Sequence, residues 1–206
     1  MNSEQIVSDY LSNRGLRPER YSKPEMRVPN QKTPDFKVFQ GDTFEFYCEV
    51  KELTDADPLE DHYREVAPGI SEAAQLSDGK KPINRLVEKI EHAVEQFGCV
   101  NHDRKHLNVL AVVNTYDLAG PDNLLELLQG FLTFGKGGKY ATIPRFLRER
   151  MEQVRREIDL YWWIEHHAFE KTPQHRWLSP HPEDSSTFFK MKKLFCMDEN
   201  SQATQT

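Results

Sequence analysis

Residues 33–51 read TPDFKVFQGDTFEFYCEVK, and this stretch decides the fold that the sequence predicts. It holds two short runs of aromatic and β-branched residues, separated by the segment 40–42 with its central glycine. A glycine among polar residues between two such runs is typical of a β-hairpin turn. The sequence therefore predicts two antiparallel strands, with Asp35 at the head of the first and Glu49 near the end of the second.

Apolar side chains recur at every second position of the second predicted strand, namely at Phe44, Phe46, Cys48 and Val50. A period of two predicts a sheet with one buried face. Glu49 and Lys51 fall between the apolar positions, so their side chains point in the same direction. For these two residues taken alone, the alternative is a solvated sheet face with alternating charges.

The segment before the hairpin predicts a helix over residues 3–15, with Ser3 as its cap and Gly15 as its end. Prolines make residues 16–30 irregular, although a short strand fits there. After the hairpin, a long polar loop is expected over residues 55–81. The hairpin is thus preceded by a helix and followed by a loop.

The rest of the chain alternates predicted helices with predicted strands. The clearest helix covers residues 82–97, which carry an apolar stripe and are followed by Gly98 as a stop signal. Residues 107–114 are a β-branched apolar run typical of a buried strand in a parallel or mixed sheet. Later segments predict helices at 122–131 and 143–156 and a strand at 158–164. This order predicts an α/β fold with a central mixed β-sheet flanked by helices.

Length and composition bound the class of protein. With 206 residues, a mass of 24.1 kDa and 37% hydrophobic residues, the chain can bury one substantial core, and no internal linker indicates a second. We therefore expect a single domain over residues 1–195 and a polar, disordered tail over residues 196–206. No apolar run is long enough to cross a bilayer, so we expect no membrane partner and a cytoplasmic location.

Positive charge is concentrated in two regions of an otherwise acidic chain, whose formal net charge is -6. Residues 11–40 include seven basic and three acidic residues, so 7 − 3 gives +4. Residues 136–156 include seven basic and two acidic residues, so 7 − 2 gives +5. Such a separation suits a protein that binds a polyanion, while solvated surface charge is the alternative.

The carboxylates and the lysine of the hairpin suit the hydrolysis of phosphodiester bonds. That reaction must overcome a poor nucleophile, an electron-rich phosphorus and a poor leaving group, and divalent metal ions help with all three. Mg²⁺ prefers oxygen ligands, and the predicted hairpin can bring the carboxylates of Asp35 and Glu49 together. The ammonium of Lys51 can orient or help to deprotonate the attacking water, or neutralise charge on the phosphate.

At Pro34-Asp35 and Glu49-Val50-Lys51 the chain resembles the PD-(D/E)XK nuclease superfamily, the fold of many restriction endonucleases, archaeal Holliday-junction resolvases and repair nucleases. The resemblance extends over residues 3–115 and implies a restriction endonuclease-like fold. It implies that Asp35 and Glu49 ligate Mg²⁺, for which Mn²⁺ can substitute, together with the main-chain carbonyl of Val50. It also implies that Lys51 acts on the nucleophile.

Three further residues take roles from the same resemblance. Glu4, in the first turn of the first helix, would bind a second metal ion directly or through water; a carboxylate favoured by the helix dipole is its alternative. Lys89 and Gln96 would line the site from the following helix, with Gln96 holding an acidic ligand or the phosphate backbone. Their alternative is the polar margin of an amphipathic helix. The expected catalytic residues are therefore Asp35, Glu49, Lys51, Glu4, Gln96 and Lys89.

The sequence as a whole indicates a metal-dependent nuclease, with DNA favoured over RNA and with end and internal cutting both open. A symmetric homodimer would make double-strand cutting geometrically natural. One alternative is a noncatalytic nucleic-acid-binding module, or a nuclease subunit active only with a partner, on the same fold. Another is a protein-binding adaptor whose acidic middle, residues 42–72, contacts a basic partner.

Overall fold

The computed structural model describes residues 2–21, 32–54, 80–115, 119–134, 139–142, 145–166, 172–197 and 202–203. Of the predicted loop, residues 55–79 lie outside the described residues, as does most of the predicted tail. Residues 80 and 81 already belong to a helix. Within these ranges, no helix combines the length and the hydropathy that a membrane crossing needs.

The described chain alternates helices and strands. Its helices are α1 (Ser3–Asn13), α2 (Lys80–Val100), α3 (Pro121–Gln129), α4 (Arg145–Val154) and α5 (Ser186–Phe195). Its first strands are β1 (Leu16–Glu19), β2 (Phe36–Gln40), β3 (Thr43–Leu53) and β4 (Leu107–Asn114). The later strands are β5 (Phe131–Phe134), β6 (Lys139–Thr142), β7 (Leu160–Glu165), β8 (Gln174–Ser179) and β9 (Gln202–Ala203).

Six strands form one mixed sheet in the order β1-β2-β3-β4-β7-β8, and the two-residue β9 extends its edge beside β8. β1, β2 and β3 are antiparallel neighbours, whereas β3, β4 and β7 run parallel. β8 runs antiparallel to β7, and β5 and β6 pair with each other in a separate hairpin. The predicted α/β class, with a central mixed sheet flanked by helices, is therefore confirmed.

β4 lies at the centre of the sheet, and its sequence explains why. Seven of its eight residues, LNVLAVVN, are buried. Apolar and β-branched residues suit a strand that is paired on both edges and covered on both faces. Val109, Ala111 and Val113 enter one core, with α1 and α5, while Leu110 and Val112 enter the other, with α2. The sheet therefore separates two hydrophobic cores.

β3 is also covered on both faces, so the prediction of one buried face was wrong. Phe46 and Cys48 pack in the core beneath α1 and α5, whereas Leu53 packs in the core beneath α2. Parallel pairing with β4 places β3 inside the sheet, where helices lie on each side. Polar residues on the α2 side of β3 are consequently enclosed.

A β-bulge interrupts the alternation near the start of β3. The pairing of β2 with β3 shifts by one residue, which leaves Glu45 as the extra residue. The ring of Phe44 lies 4.7 Å from that of Tyr47, so Phe44 is on the α2 side, whereas the predicted alternation placed it with Phe46. Glu45 turns to the opposite side and forms an ion pair of 2.8 Å with Lys190 of α5. The predicted period of two therefore holds only from Phe46 onward.

The cap of α1 differs from the predicted one. The Asn2 side chain accepts a hydrogen bond of 3.1 Å from the Glu4 N–H, whereas Ser3 is the first helical residue and is buried. Gly15 follows the helix with a φ of +73°, a conformation that glycine adopts without strain, so it ends α1 as predicted.

α2 does not stop at Gly98 but continues to Val100. A glycine inside a helix costs only about 1 kcal/mol, which the tertiary packing of α2 can offset. The helix ends where the Asn101 N–H donates to the Phe97 carbonyl at 2.8 Å and the Asn101 side chain turns to the carbonyl of His106. A stop signal at Gly98 was therefore a wrong prediction.

The other predicted elements are shifted by a few residues. Gly130, with a φ of +80°, ends α3, so Phe131 belongs to β5 and not to the predicted helix 122–131. The predicted helix 143–156 is α4 followed by a 3₁₀ turn at Arg155–Glu157. The predicted strand 158–164 is β7, which begins two residues later.

Replacing Leu110 with alanine should destabilise the fold, since this side chain is fully buried in the centre of β4. Removing a buried leucine side chain costs about 2–5 kcal/mol of unfolding free energy. Urea denaturation followed by tryptophan fluorescence measures the loss. Phe189→Ala is the matched control: Phe189 is 60% exposed, and its removal should change the free energy by less than about 0.5 kcal/mol. Equal effects of the two substitutions would contradict the central position of β4.

Candidate active site

The end of the β2–β3 pairing places Asp35 beside β3. Phe36 pairs with Cys48 at the start of β2, and Asp35 comes immediately before. The Asp35 Oδ2 accepts a hydrogen bond of 2.8 Å from the Val50 N–H. Its own N–H donates to Glu49 Oε2 at 3.1 Å. These two bonds hold the carboxyl groups of Asp35 and Glu49 next to each other.

Polar contacts link Glu49 to α2. The Lys51 Nζ donates to Glu49 Oε1 at 2.5 Å and to Gln96 Oε1 at 2.6 Å. The Gln96 Nε2 in turn donates to the main-chain carbonyl of Thr33 at 2.9 Å. The Lys51 ammonium thus lies between a carboxylate of β3 and an amide of α2. The site joins the segment before β2, the strand β3 and the helix α2.

This cluster is largely shielded from water. Glu49 is 2% exposed, and the Lys51 side chain keeps 18% of its surface exposed. The alternative of a solvated sheet face for these two residues is therefore wrong. Burial, which favours the neutral form of a carboxyl group, is the main cause that raises the pKa of Glu49 to about 7. The Asp35 carboxylate raises this pKa further, whereas the Lys51 ammonium lowers it.

Burial also raises the pKa of Asp35. The hydrogen bond from the Val50 N–H lowers this pKa, and the negative charge of Glu4 raises it. Burial is the largest cause of the raised pKa of both carboxyl groups, so the hydrogen bonds and the Lys51 ammonium do not fully offset their loss of hydration.

The donor set fits a hard divalent cation. Mg²⁺ prefers carboxylate oxygens, and Asp35 and Glu49 bring two such groups together. A cation between them would offset the negative charge of Asp35 that helps to raise the pKa of Glu49. In the part of the chain that the structure describes, no group of three or more His, Cys, Asp or Glu side chains is arranged to hold a metal ion. A cation here would take its remaining ligands from main-chain carbonyls, water or substrate.

Glu4 lies at the rim of this cluster. Its charge contributes to the raised pKa of Asp35, so the two carboxyl groups are within electrostatic range of each other. Its Oε2 accepts a hydrogen bond from the guanidinium of Arg20, which follows β1. The Arg20 guanidinium also lies over the ring of Phe36, 5.7 Å from its centroid. Glu4 therefore neighbours the predicted metal ligand Asp35 while it is paired with Arg20.

Gln96 and Lys89, the two residues predicted from α2, differ in their relation to the site. Gln96 holds the Lys51 ammonium and the Thr33 carbonyl, where the prediction gave it an acidic ligand or a phosphate. Lys89 lies two turns earlier in α2 and is half-buried; among the described residues it makes no hydrogen bond or ion pair with this cluster. The residues that the structure brings together are Asp35, Glu49, Lys51 and Gln96.

Two participants were not predicted from the sequence. Thr33 takes part through its main-chain carbonyl, which carries no sequence signal because every residue has one. Arg20 takes part as the partner of Glu4, from which it is separated by 16 positions. Its only sequence signal is the positive charge concentrated between residues 11 and 40.

Comparisons of the chain with protein-family models, with curated proteins and with solved structures found no match. What the site can do is consequently inferred from its own contacts, burial and charge.

Glu49 should make a contribution to the free energy of unfolding that depends on pH, and the Glu49→Gln substitution should remove this contribution. The folded-state pKa of about 7 lies above the ordinary value of 4.5, so the folded protein binds this proton more tightly than the unfolded chain does. The stability that Glu49 contributes is therefore full below pH 4.5 and is lost as the pH rises through about 7. Between pH 5 and pH 8 the loss amounts to about 2–3 kcal/mol.

Urea denaturation of metal-free wild-type and Glu49→Gln protein, near pH 5 and near pH 8, measures this contribution. The wild-type free energy, relative to that of the variant, should fall by the stated amount between the two pH values. Burial and Arg14 lower the pKa of His175 to about 4, so its titration makes the protein more stable as the pH rises. Because His175 is present in both proteins, this effect cancels when the wild type is compared with the variant. A wild-type-to-variant difference that is the same at both pH values would contradict the raised pKa.

Proposed function

We propose that this chain is a metal-dependent nuclease that hydrolyses phosphodiester bonds, with DNA favoured over RNA as its substrate. The observation that carries the proposal is the enclosed carboxylate pair of Asp35 and Glu49, with the Lys51 ammonium 2.5 Å from Glu49. Lys51 is paired with Glu49, whereas the neighbouring Asp35 forms no ion pair with any described residue, so the two carboxyl groups have one ammonium beside them. Enclosed titratable groups with shifted pKa values, as both carboxyl groups have, are typical of catalytic sites.

The proposal includes the resemblance to the PD-(D/E)XK nucleases and a restriction endonuclease-like arrangement of the sheet. Asp35 before one strand and Glu49-Val50-Lys51 on its hairpin partner support it. The order of α1, the hairpin, α2 and β4 agrees with what the resemblance implies. DNA is the substrate of the nucleases resembled, and a symmetric homodimer would place one site at each strand of a duplex.

Asp35 and Glu49 hold Mg²⁺, or Mn²⁺ in its place, together with the carbonyl of Val50. When bound, such an ion activates water, polarises the phosphate and stabilises the leaving oxygen. Glu4 would join this ligand set, directly or through water, in place of its contact with Arg20. The negative charge of Glu4 is now balanced by Arg20, and a cation in the place of Arg20 would balance it equally.

Lys51 acts on the attacking water or on the phosphate. In the described part of the chain, two of its three N–H donors are engaged with Glu49 and Gln96, which fixes the position of the ammonium and leaves the third for the substrate side. The positive charge stabilises the negative charge that develops on the phosphate oxygens. Gln96 is a positioning residue, because it acts through Lys51 and is itself held by the carbonyl of Thr33.

Replacing Asp35 or Lys51 with alanine should reduce Mg²⁺-dependent cleavage by a factor of about 100 or more, because each variant loses a charge at the reacting centre. Cleavage is measured on linear, circular, single-stranded and branched DNA with Mg²⁺ and with Mn²⁺. Lys105→Ala is the matched control, since the Lys105 side chain is 74% exposed and its ion-pair partner is Asp103. This control should cleave at the wild-type rate, and circular dichroism should show that all variants are folded.

Unchanged cleavage by the Asp35→Ala variant would exclude this site. Wild-type protein that binds DNA, cuts no form in the panel and shows no binding of Mn²⁺ by calorimetry would favour a noncatalytic nucleic-acid-binding module instead. Wild-type protein without affinity for any of these DNA forms would favour a protein-binding adaptor.

Saturating Mn²⁺ should raise the melting temperature of the wild-type protein by about 5–10 °C, since a ligand at a hundred times its Kd adds about 2.7 kcal/mol. The rise should be smaller near pH 5.5 than near pH 8, because protons compete with the cation for Glu49. Asp35→Asn removes one carboxylate charge at constant size and should abolish most of the rise. Differential scanning fluorimetry measures these shifts, and an equal rise in the variant would contradict a metal site at Asp35.

A further inference from the structure

A cavity of about 320 Å³ lies beside the 3₁₀ turn and is lined by Arg155, Arg156, Pro180 and His181. We name it the arginine cavity. Its described lining includes two arginines and a histidine, and none of these described lining residues is acidic. The 3₁₀ turn follows α4, which packs in the core on the α2 side of the sheet. The candidate active site makes no use of these residues.

The two arginines of the arginine cavity have no carboxylate partner among the residues that the structure describes. Several other arginines have such a partner, for example Arg150, which lies 2.5 Å from Glu91. Within the described ranges, neither Arg155 nor Arg156 forms an ion pair, and Arg155 donates instead to the carbonyl of Leu128 at 3.2 Å. Guanidinium groups that face a cavity without carboxylates attract anions.

Polar contacts around Asp159 and Arg104 hold the walls of the arginine cavity in place. Arg104 donates to the carbonyl of Arg156 at 2.6 Å and to Asp159 Oδ1 at 3.0 Å. The same carboxylate oxygen lies 2.8 Å from His181 Nε2, and the Asp159 side chain is only 6% exposed. Asp159 and Arg104 therefore connect the 3₁₀ turn with the segment after β8. A site that is organised before binding loses less conformational entropy when its ligand arrives.

We propose that the arginine cavity binds a backbone phosphate of a nucleic acid, away from the cutting site. This inference rests on the proposed function, since it assigns a second contact to the same substrate. Guanidinium groups form planar contacts with two phosphate oxygens at once, and they stay charged at every physiological pH. Phosphate contacts of this kind position a nucleic acid without reading its bases.

The surface next to the arginine cavity favours a polymer over a single phosphate ion. Arg155 also lines a second, smaller cavity of about 50 Å³, together with Arg148 and Glu152 of α4. The two depressions share Arg155, and their described lining residues include three arginines and one carboxylate. A nucleic acid carries phosphates at regular intervals, so one strand can contact arginines of both depressions.

The distance to the candidate active site also suits one nucleic acid. Lys51 pairs with Val112, and Val112 pairs with Trp163 on β7. Asp159 comes four residues before Trp163 and lies two strands away from Lys51. The strand spacing and the rise per residue then separate Asp159 from Lys51 by roughly 16 Å in the plane of the sheet. A few nucleotides span this distance.

Fluorescence anisotropy with a fluorescein-labelled duplex of about 20 base pairs, in EDTA to prevent hydrolysis, tests the assignment. Arg156→Glu should weaken binding at least about tenfold more than Arg145→Glu does, and should lower the slope of log Kd against log salt by about one. Arg145 is the matched control: the substitution changes the net charge equally, and the Arg145 side chain is 84% exposed and paired with Glu149. Arg156→Lys should recover most of the affinity.

We choose Arg156 for substitution because Arg104 contacts its main-chain carbonyl and not its side chain. The substitution therefore retains the contact that holds the cavity wall. Circular dichroism should therefore show a folded variant. Equal weakening by Arg156→Glu and Arg145→Glu would overturn the proposal, since it would show only a general charge effect.

Titration of inorganic phosphate by calorimetry distinguishes the source of the ligand. Phosphate binding that depends on Arg156, combined with duplex binding that does not, would overturn the nucleic-acid assignment and leave a site for free phosphate. The absence of both duplex and phosphate binding by the wild-type protein would overturn the site altogether. Duplex binding that depends on Arg156 in a protein without cleavage activity would support the cavity and contradict the proposed nuclease function. If the Arg156→Glu variant cleaved DNA and bound the duplex normally, the result would support the nuclease function and contradict the role of the cavity.

Discussion

The structure depends on the enclosure of two neighbouring carboxyl groups, those of Asp35 and Glu49, beside one lysine. Taking an ionised carboxylate out of water costs several kcal/mol unless hydrogen bonds and opposite charge offset the loss. The Val50 N–H and the Lys51 ammonium provide part of that compensation. Burial is the largest cause of the raised pKa values of both groups, and Gln96 of α2 contacts Lys51 over this part of β3.

Local sequence patterns were sufficient to predict the hairpin, β4, the end of α1 at Gly15 and the α/β class. The placement of Asp35, Glu49 and Lys51 followed from the hairpin, because its register depends on a few adjacent residues. The bulge at Glu45 could not be predicted, since it depends on the fit of β3 between its neighbours and on an ion pair with distant Lys190. For the same reason the carbonyl of Thr33, as a partner of Gln96, was invisible in the sequence.

The two ends of the parallel strands differ in the sign of the charge that they favour. At the end near Lys51, two neighbouring carboxyl groups lie beside one ammonium, an arrangement that favours a cation. At the end near Asp159, the buried carboxylate of Asp159 is shared by Arg104 and His181, and the buried Glu45 is paired with Lys190, so neither is an ion-pair partner of Arg155 or Arg156. That end favours an anion. A nuclease needs both environments, since its substrate is a polyanion and its metal ion a cation.

The most direct test is the anomalous X-ray scattering of Mn²⁺ in crystals of the protein soaked at a pH near 8, where Glu49 is ionised. The account predicts an anomalous peak within coordination distance of the carboxylates of both Asp35 and Glu49, with Lys51 remaining in contact with Glu49. Saturating Mn²⁺ that gave no peak between these carboxylates, or coordinates in which the three side chains point apart, would contradict it.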